Sequence, residues 1–207
     1  MNLKQLIPLA LCAVVSSAFA DGFYGVGEVT HSMNSLDRGH FDSALTANGA
    51  TALSSSDKGN GNQWRLQGGY RFNKYLAAEV GYIDFGKAKY KADYTGGSAN
   101  GSLKAGGFDA VALVSLPLGD QFSVFGKAGV VAASVKSNLS ASGAAAAAGG
   151  SHTENVISPL VGVGATYKLT DHLDLRADYD YVSGLGKSNK TGKMDSNMVS
   201  MGVAYNF

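Results

Sequence analysis

Six charged residues stand between small or apolar neighbours, at a spacing that would let them meet in a closed interior. Gly27-Glu28-Val29 and Ala78-Glu79-Val80 are examples. Carboxylate and guanidinium groups withdrawn from water must pair, because a buried charge without a partner costs several kcal/mol. We therefore predict an interior ion-pair network made of these residues: Glu28, Arg65, Glu79, Lys127, Arg176 and Asp178.

Four further charges share this spacing and are assigned to the same interior: Asp109, Lys168, Asp174 and Asp180. Two interpretations of the network remain open. The charges either fix strand register and fill space, or they form a gated pathway of low conductance with Glu79 and Arg176 as its latch. Glu79 and Arg176 hold equivalent places after two similar segments, Tyr70–Leu76 and Tyr167–Leu173, on the third and seventh predicted strands. In a ring of eight strands these two would face each other.

The segments that carry these charges alternate with a period of two, which is typical of β-strands. The clearest is a hairpin around Asn73-Lys74, with apolar side chains on one face and charges among Gly and Ala on the other. The predicted strands are Gly22–Val29, Gln63–Arg71, Leu76–Phe85, Phe108–Leu118, Phe122–Val135, Val156–Leu169, Leu173–Val182 and Val199–Phe207.

Long and short connections alternate between these eight strands. Three tight turns join the hairpins, at 73–74, 119–120 and 170–171, and the long surface loops are predicted at about 30–61, 86–102, 136–155 and 183–196. The run Ala144–Ala148 is predicted to be flexible rather than helical, because it is short and Gly149-Gly150 follows it. An even number of antiparallel strands would place all the long loops at one rim.

The charged face is expected inside and the apolar face outside, against lipid. Aromatic residues lie near the strand ends of the apolar face, as in a membrane-interface girdle, for example Tyr70, Phe72 and Tyr167. A closed sheet also satisfies every backbone polar group within lipid. The alternative is a soluble eight-stranded barrel with an apolar interior. We predict an all-β fold, an eight-stranded antiparallel up-and-down transmembrane β-barrel.

The first twenty residues of the 207-residue chain form a predicted signal peptide. Lys4 precedes an apolar run, and Ala18-Phe19-Ala20 is a small-x-small cleavage site, so residues 21–207 form the predicted barrel. Lipoprotein processing at Cys12 is disfavoured by Leu11 before it. Loss of Lys4 from 17 basic residues would leave 16, equal to the acidic residues. A neutral exported domain gives no reason to expect nucleic acid as a partner.

Few residues suggest catalysis or metal binding. His31-Ser32 matches faintly the His/Ser pair of outer-membrane lipid A deacylases, and Asp37, His40 and Asp42 could ligate a metal. Two residues of such common types are weak evidence for a deacylase, and solvated loop residues are the default interpretation of the three candidate ligands. The sequence therefore predicts no enzyme, no metal and no cofactor.

Three segments carry a family resemblance. They are Gly68-Gly69-Tyr70 to Gly81-Tyr82, Leu173-Asp174-Leu175-Arg176-Ala177-Asp178-Tyr179, and Gly202-Val203-Ala204-Tyr205-Asn206-Phe207. They resemble, in order, the second hairpin, the seventh strand and the closing strand of the outer-membrane protein A transmembrane domain. The resemblance covers nearly all of the chain after the signal peptide, although the loops do not match in detail.

The resemblance implies a barrel in the Gram-negative outer membrane with a plugged, salt-bridged interior. In that family a glutamate on strand three pairs with an arginine on strand seven, which correspond here to Glu79 and Arg176. A strand-four lysine competes for the glutamate; here that place is Leu113, and Lys127 on strand five is the nearest substitute. The family's long form has a peptidoglycan-binding domain, which we expect this chain to lack. Phe207, with Tyr205 and Val203, resembles the signal read by the barrel-assembly machinery.

These observations favour a structural and surface-exposed role, in envelope integrity and adhesion through the loops. Expected partners are outer-membrane lipids including lipopolysaccharide, the barrel-assembly machinery, and a host or surface ligand at the loops. A narrow porin for small solutes is the first alternative. A lipid A-modifying enzyme is the second.

Overall fold

A computed structural model describes residues 22–36, 38–58, 60–187 and 192–207. The predicted signal peptide at 1–20 and the candidate metal ligand Asp37 lie outside these residues. The strands are β1 (Phe23–Leu36), β2 (Ser54–Lys58), β3 (Asn60–Arg71), β4 (Leu76–Tyr94), β5 (Gly97–Pro117), β6 (Phe122–Ala141), β7 (Gly150–Lys168), β8 (Leu173–Lys187) and β9 (Gly192–Asn206). The helices are α1 (Gly39–Ala47) and a 3-10 helix at Gly143–Ala148. Among the described helices, none combines the length and the apolarity needed to cross a membrane.

The sheet closes on itself. All pairings are antiparallel, and β1 pairs with both β3 and β9, which joins the first strand to the last. β2 and β3 share one position of the ring, because residues 54–58 and 65–71 pair with successive parts of β4. The ring therefore has eight positions, and the predicted eight-stranded antiparallel barrel is confirmed.

The three tight turns lie together at one end of the barrel, here called the turn end. The Asn73 side chain accepts the backbone N–H groups of Tyr75 (2.8 Å) and Leu76 (2.9 Å). Thr170 accepts that of Leu173 at 3.1 Å in the same way. Such side-chain bonds to the backbone favour these residues in turns, which explains why the hairpins reverse where the sequence predicts. The opposite end, which carries α1, is the capped end.

The segments predicted as long loops are mostly regular structure, which corrects the sequence analysis. β4 and β5 continue through 86–102 and turn only at Thr95-Gly96. Residues 30–61 contain α1 and β2, 136–155 contain the 3-10 helix between β6 and β7, and 183–196 contain the ends of β8 and β9. The missed signal is the alternation Lys87-Ala88-Lys89-Tyr90-Lys91-Ala92, whose Ala and Tyr side chains are buried. Its polar composition made it resemble a loop.

The barrel interior has two levels. Towards the turn end the buried side chains carry charge, whereas towards the capped end they are apolar, and β4 passes from Glu79 to Ile83, Phe85 and Tyr90. The outer face changes in the opposite sense, since Val80 is exposed in the first level and lysines are exposed in the second. The apolar level is a core of the kind found in soluble proteins, formed largely by Leu103, Val135, Leu160, Leu185, Met194 and Met198.

Helix α1 closes the capped end. Its Phe41 and Leu45 are fully buried, and the Phe41 ring stacks on Tyr90 with centroids 4.9 Å apart. The Tyr90 hydroxyl donates a hydrogen bond to Asp42, which also accepts one from Ser55 at 3.0 Å. Burial and the bond to Asp42 raise the pKa of Tyr90 above its ordinary value, so this bond persists across physiological pH.

Phe41→Ala should release this cap without unfolding the barrel. Removing a buried phenylalanine costs about 3–5 kcal/mol, and Phe41 is one of the two buried side chains that anchor α1. We expect trypsin cleavage after Arg38, which is exposed, to accelerate about tenfold or more, while the strands resist. Ser43→Ala, on the exposed side of α1, is the control and should cleave as the parent does. Equal cleavage of both variants would contradict a cap anchored by Phe41.

The outer surface of the charged level is apolar between two aromatic rows. The turn-end row comprises Phe23, Tyr70, Phe72, Phe122, Tyr167 and Tyr205, all at least 37% exposed. The upper row is Trp64, Tyr82 and Phe108, whose successive ring centroids are 5.4 Å apart. Exposed side chains between the rows include Val80, Val114, Val130, Val163 and Met201. This surface has the form of a lipid-facing band with aromatic edges.

Candidate functional site: the ion-pair network of the barrel interior

The six charged residues predicted for the interior come from five strands and meet in one network. Glu28 lies on β1, Arg65 on β3, Glu79 on β4, Lys127 on β6, and both Arg176 and Asp178 on β8. None of these residues is more than 4% exposed. Strand alternation points each one inward, and glycines leave room for their side chains: a Cβ at Gly162 would stand 2.9 Å from the Lys127 side chain.

Arg176 is the centre of the network. Its Nη1 and Nη2 lie 2.6 Å and 3.2 Å from the two carboxylate oxygens of Glu79, a bidentate pair. Its Nε lies 3.1 Å from Glu28, and Nη2 is also 3.1 Å from Asp178. The guanidinium group stands 4.6 Å from the centre of the Phe125 ring. A planar fork with this many partners has one orientation, so Arg176 ties β8 to β1 and β4.

Arg65 and Lys127 form the second half of the network. Arg65 Nη1 lies 2.5 Å from Asp180 and 3.5 Å from Glu28. Lys127 Nζ lies 2.5 Å from Asp178 and 2.9 Å from Asp180. Glu28 and Asp178 have partners in both halves, so the two halves form one continuous cluster.

The network carries more acid than base. Its cations are Arg65, Lys127 and Arg176, while five buried carboxyl groups face them: Glu28, Glu79, Asp109, Asp178 and Asp180. Asp109 also accepts a hydrogen bond from Gln67 at 2.7 Å. With every group ionised the cluster would be negative, so any passage opened through it should favour cations over anions.

Two of the charges predicted for the interior lie at its edge. The Lys168 side chain is 46% exposed at the turn end and pairs with Asp171 at 2.7 Å, so its assignment to the interior was wrong. Strand β7 has reached its last residue there, and the side chain extends into the turn. The Lys168 ammonium holds the pKa of Asp171 below its ordinary value. Asp174 is buried, and it pairs with Arg71 at 3.1 Å just inside the rim.

Leu113 occupies the inward position on β5 and is buried. It stands directly opposite Lys127 on β6. Lys127 extends to Asp178 and Asp180 rather than to Glu79, so the cation nearest to the Leu113 position is already engaged by other carboxylates. Glu79 instead has a hydroxyl partner, because the Tyr24 phenol donates to it at 2.7 Å.

A vestibule of about 340 Å³ leads from the turn end to Glu79 and Arg176. Its mouth is lined by charged side chains, among them Arg71, Lys74 and Asp120. Beyond the ion pair the interior is filled, first by the rest of the network and then by the apolar level under α1. Any continuous path through the barrel must therefore break the Glu79–Arg176 pair and pass the apolar level.

The residues considered for catalysis do not assemble. His31 is exposed on the outer face and contacts Asn62 at 3.1 Å, whereas Ser32 is buried on the inner face and accepts a hydrogen bond from Gln63. Neighbouring strand residues point to opposite faces, so His31 and Ser32 cannot act on one substrate. Asp42 is engaged by Tyr90 and Ser55, as described above.

The residues predicted as an assembly signal lie on the closing strand. Val203 and Tyr205 are 43% and 45% exposed on the outer face of β9. Phe207 donates its backbone N–H to Phe23 at 3.2 Å, and its ring packs 5.3 Å from that of Tyr205. The segment is thus an outward apolar edge at the seam where β9 meets β1.

Comparison with known proteins gives a consistent result. The family model described as the OmpA-like transmembrane domain matches residues 37–207. Outer membrane protein A of Serratia marcescens is 35% identical over 142 residues, 67% of this chain and 37% of that protein. The Salmonella typhi protein of the same name is 32% identical over 146 residues, 68% of this chain and 38% of that protein. The chain thus spans under two fifths of these relatives.

Solved structures share the fold. Neisserial surface protein A superposes with a TM-score of 0.59 at 22% identity, covering 91% of this chain and 99% of that one. Ail, the attachment invasion locus protein of Yersinia pestis, gives 0.51 at 15% identity, covering 90% and 99%. Outer-membrane barrels place short turns at the periplasmic side and longer connections outside, so we expect the turn end to face the periplasm and the capped end to face the exterior. This chain is an integral β-barrel of the bacterial outer membrane, and it belongs to the OmpA-like transmembrane domain family.

Proposed function

We propose that this protein is a closed structural barrel that supports the envelope and presents its capped end for surface interactions. The observation that carries this proposal is the filled interior, with the ion-pair network in the membrane level and the apolar core beyond it. Such an interior makes a rigid cylinder rather than an open channel. The strands also extend past the upper aromatic row, which lifts the capped end away from the lipid.

The partners we propose follow from this placement. The lipid-facing band contacts outer-membrane lipids including lipopolysaccharide, and the capped end is available to a host or surface ligand. The Ail protein of similar fold is named for attachment and has been solved with the heparin analogue sucrose octasulfate. That likeness supports adhesion as a surface role for this chain. The positions of His31 and Ser32 on opposite faces of β1 argue against the lipid A-modifying alternative.

A low-conductance pathway is the second candidate. The vestibule supports it, because this cavity at the turn end is lined by Glu79 and Arg176 at its inner end. On this proposal the pair is the latch. When the pair separates, the excess of acidic side chains in the network makes the passage selective for cations.

Two measurements test the structural proposal. The purified barrel in planar bilayers should give no steady conductance, and a strain lacking the protein should become more sensitive to detergents and bile salts. Restoring the gene should return resistance. Steady channels from the parent protein would favour the porin. Unchanged detergent resistance in the deletion strain would contradict the envelope role.

Assembly should depend on the closing strand. We expect Phe207→Ala to lower the amount of folded barrel in the outer membrane of cells about fivefold or more, because the assembly machinery reads outward apolar side chains of β9. Phe72→Ala is the matched control, since Phe72 is a 63% exposed aromatic at the same end of the barrel. Heat-modifiable gel migration quantifies the folded fraction. Equal losses in both variants would reduce Phe207 to an ordinary interface aromatic.

A further inference from the structure

A cluster of lysines covers one side of the barrel just beyond the upper aromatic row. Lys87 on β4, Lys104 on β5 and Lys136 on β6 stand directly opposite one another across three adjacent strands. Lys58 and Lys89 form a further opposed pair between β2 and β4. All five side chains are exposed on the outer face. We call Lys58, Lys87, Lys89, Lys104 and Lys136 the lysine cluster.

The lysine cluster is not neutralised by the part of the chain that the structure describes. None of its members takes part in an ion pair there, and the acidic side chains nearest on the same face of β4 are Asp84 below the cluster and Asp93 above it. Asp84 is engaged by the backbone N–H of Gly86 at 2.9 Å. Like charges directly opposite one another destabilise a sheet. An external anion would remove this penalty.

An apolar groove of about 470 Å³ lies immediately beneath the cluster. Gly106, Ala132 and Ser134 line it, and Tyr82, Phe108 and Ile157 stand around it. Gly106 precedes Phe108 and follows Lys104 on the same face of β5, and Ser134 has the same relation to Lys136 on β6. Two residues along a strand are about 6–7 Å. The groove and the positive charges therefore form one continuous amphipathic surface.

The position of this surface selects its occupant. Its groove lies beside Tyr82 and Phe108 of the upper aromatic row, and its lysines stand on the outer wall of the barrel just beyond that row. Aromatic rows of this kind mark the level where hydrocarbon gives way to headgroups. A second copy of the chain would bring lysines against lysines. An amphiphile with acyl chains and phosphates matches both parts, because the groove takes the chain and the ammonium groups take the phosphate.

We propose that the lysine cluster and the groove beneath it bind the phosphorylated, acylated lipid portion of lipopolysaccharide on one side of the barrel. At the same height, the outer faces of β1 and β9 present His31, Met33, Val199 and Asn197. No lysine is found there among the described side chains. Binding is thus one-sided, and it orders the glycolipid next to β4, β5 and β6. This inference rests on the lipid contact proposed above and makes it specific to named residues.

The test compares two triple variants with the same change of charge. Lys87→Gln, Lys104→Gln and Lys136→Gln are combined in one, and Lys74→Gln, Lys168→Gln and Lys193→Gln in the control. Each protein is extracted from outer membranes in mild detergent, and retained lipopolysaccharide is measured per folded barrel. We expect the cluster variant to retain about tenfold less and the control to retain as much as the parent. Equal retention in both triple variants overturns the proposal.

A second pair of variants tests the groove without altering charge. Ala132→Phe fills the groove, whereas Ala112→Phe adds the same bulk on the outer face of β5 outside it. We expect only Ala132→Phe to lower retention several-fold. If Ala132→Phe retains as much lipopolysaccharide as the parent, or if both phenylalanine variants lower retention equally, the groove has no part in binding.

Nanodiscs of phosphatidylcholine identify the source of the phosphate. The parent protein should bind added lipopolysaccharide, bind its dephosphorylated form about tenfold more weakly, and show little displacement by inorganic phosphate at millimolar concentration. Tight binding of a sulfated polysaccharide, with lipopolysaccharide unaffected by the lysine changes, would assign the cluster to a soluble polyanion and refute the proposal. Bilayer conductance and detergent resistance are scored separately, so failure here leaves the structural role standing.

Discussion

Arg176→Ala is expected to destabilise the barrel by about 3–5 kcal/mol and to open its interior to ions. The guanidinium group is the bidentate partner of Glu79 and also contacts Glu28 and Asp178. Removing one partner of a buried ion pair leaves uncompensated charge, which costs that much in known cases. Water must then enter from the vestibule to solvate the carboxylates. The passage should favour cations, because the network loses one of its three positive charges.

Urea titration of the barrel in lipid vesicles measures the free energy of unfolding, and planar bilayers measure conductance. Arg71→Ala is the control at the rim, because the Arg71 side chain is 40% exposed and its partner Asp174 lines the vestibule. Water in the vestibule can solvate the Asp174 carboxylate when Arg71 is removed, so this variant should lose much less stability than Arg176→Ala. Conductance unchanged in a folded Arg176→Ala barrel would leave the network with a purely structural role.

A double variant separates the pair from its surroundings. Arg176→Ala combined with Glu79→Ala removes both members, and the network returns to its original balance of charge. We expect the double variant to be more stable than Arg176→Ala alone, with a coupling of roughly 1–3 kcal/mol in the cycle. Additive losses would contradict a direct latch between the two side chains.

Val163→Arg should destabilise the folded barrel by about 2–4 kcal/mol. Val163 is 61% exposed on the outer face of β7, midway along the lipid-facing band. A guanidinium group there must enter hydrocarbon or distort the bilayer around it, which costs this amount near the midplane of known barrels. The expected result tests the assignment of the apolar face to lipid.

Ser151→Arg is the control on the same strand and the same face. Ser151 lies near the start of β7 at the capped end and is exposed above the lipid band. An arginine at position 151 should change the free energy of unfolding by less than about 0.5 kcal/mol. The difference between the two variants, measured by urea titration in vesicles, reports depth in the membrane. Equal, small effects would place the outer face of Val163 in water.

Local alternation accounts for the strands, the tight turns and the inward charges, and it is legible in sequence because neighbouring strand residues always point to opposite faces. Glu79 and Arg176 were assigned to one pair because their strands occupy opposite places in a ring of eight. The partners of Arg65 were not predictable. Asp180, Glu28 and Asp178 all lie within 4.0 Å of it, and choosing among them requires the register of four strands.

The capped half is where sequence reasoning failed. Polar composition at 86–102 and 136–155 indicates loops, yet most of these residues form paired strands with Tyr90, Ala99 and Leu139 inside. Composition is a weak guide there, because a strand that leaves lipid for water must present polar residues outside, as loops do. Only the inward residues of all strands together form a core, and no single segment reveals it.

The sequence by itself determined the strands, their order and the charged side of each, since these depend on a period of two along the chain. The tertiary structure decided, at each position along the barrel axis, whether the outer face of a strand meets lipid or water. It also decided whether the inner face meets the ion-pair network or the apolar core. Closing the ring brings Glu28, Glu79 and Arg176 together from three strands, and it aligns Lys87, Lys104 and Lys136 from three others. Both groupings depend on strand register, a relation between distant segments that local periodicity does not contain.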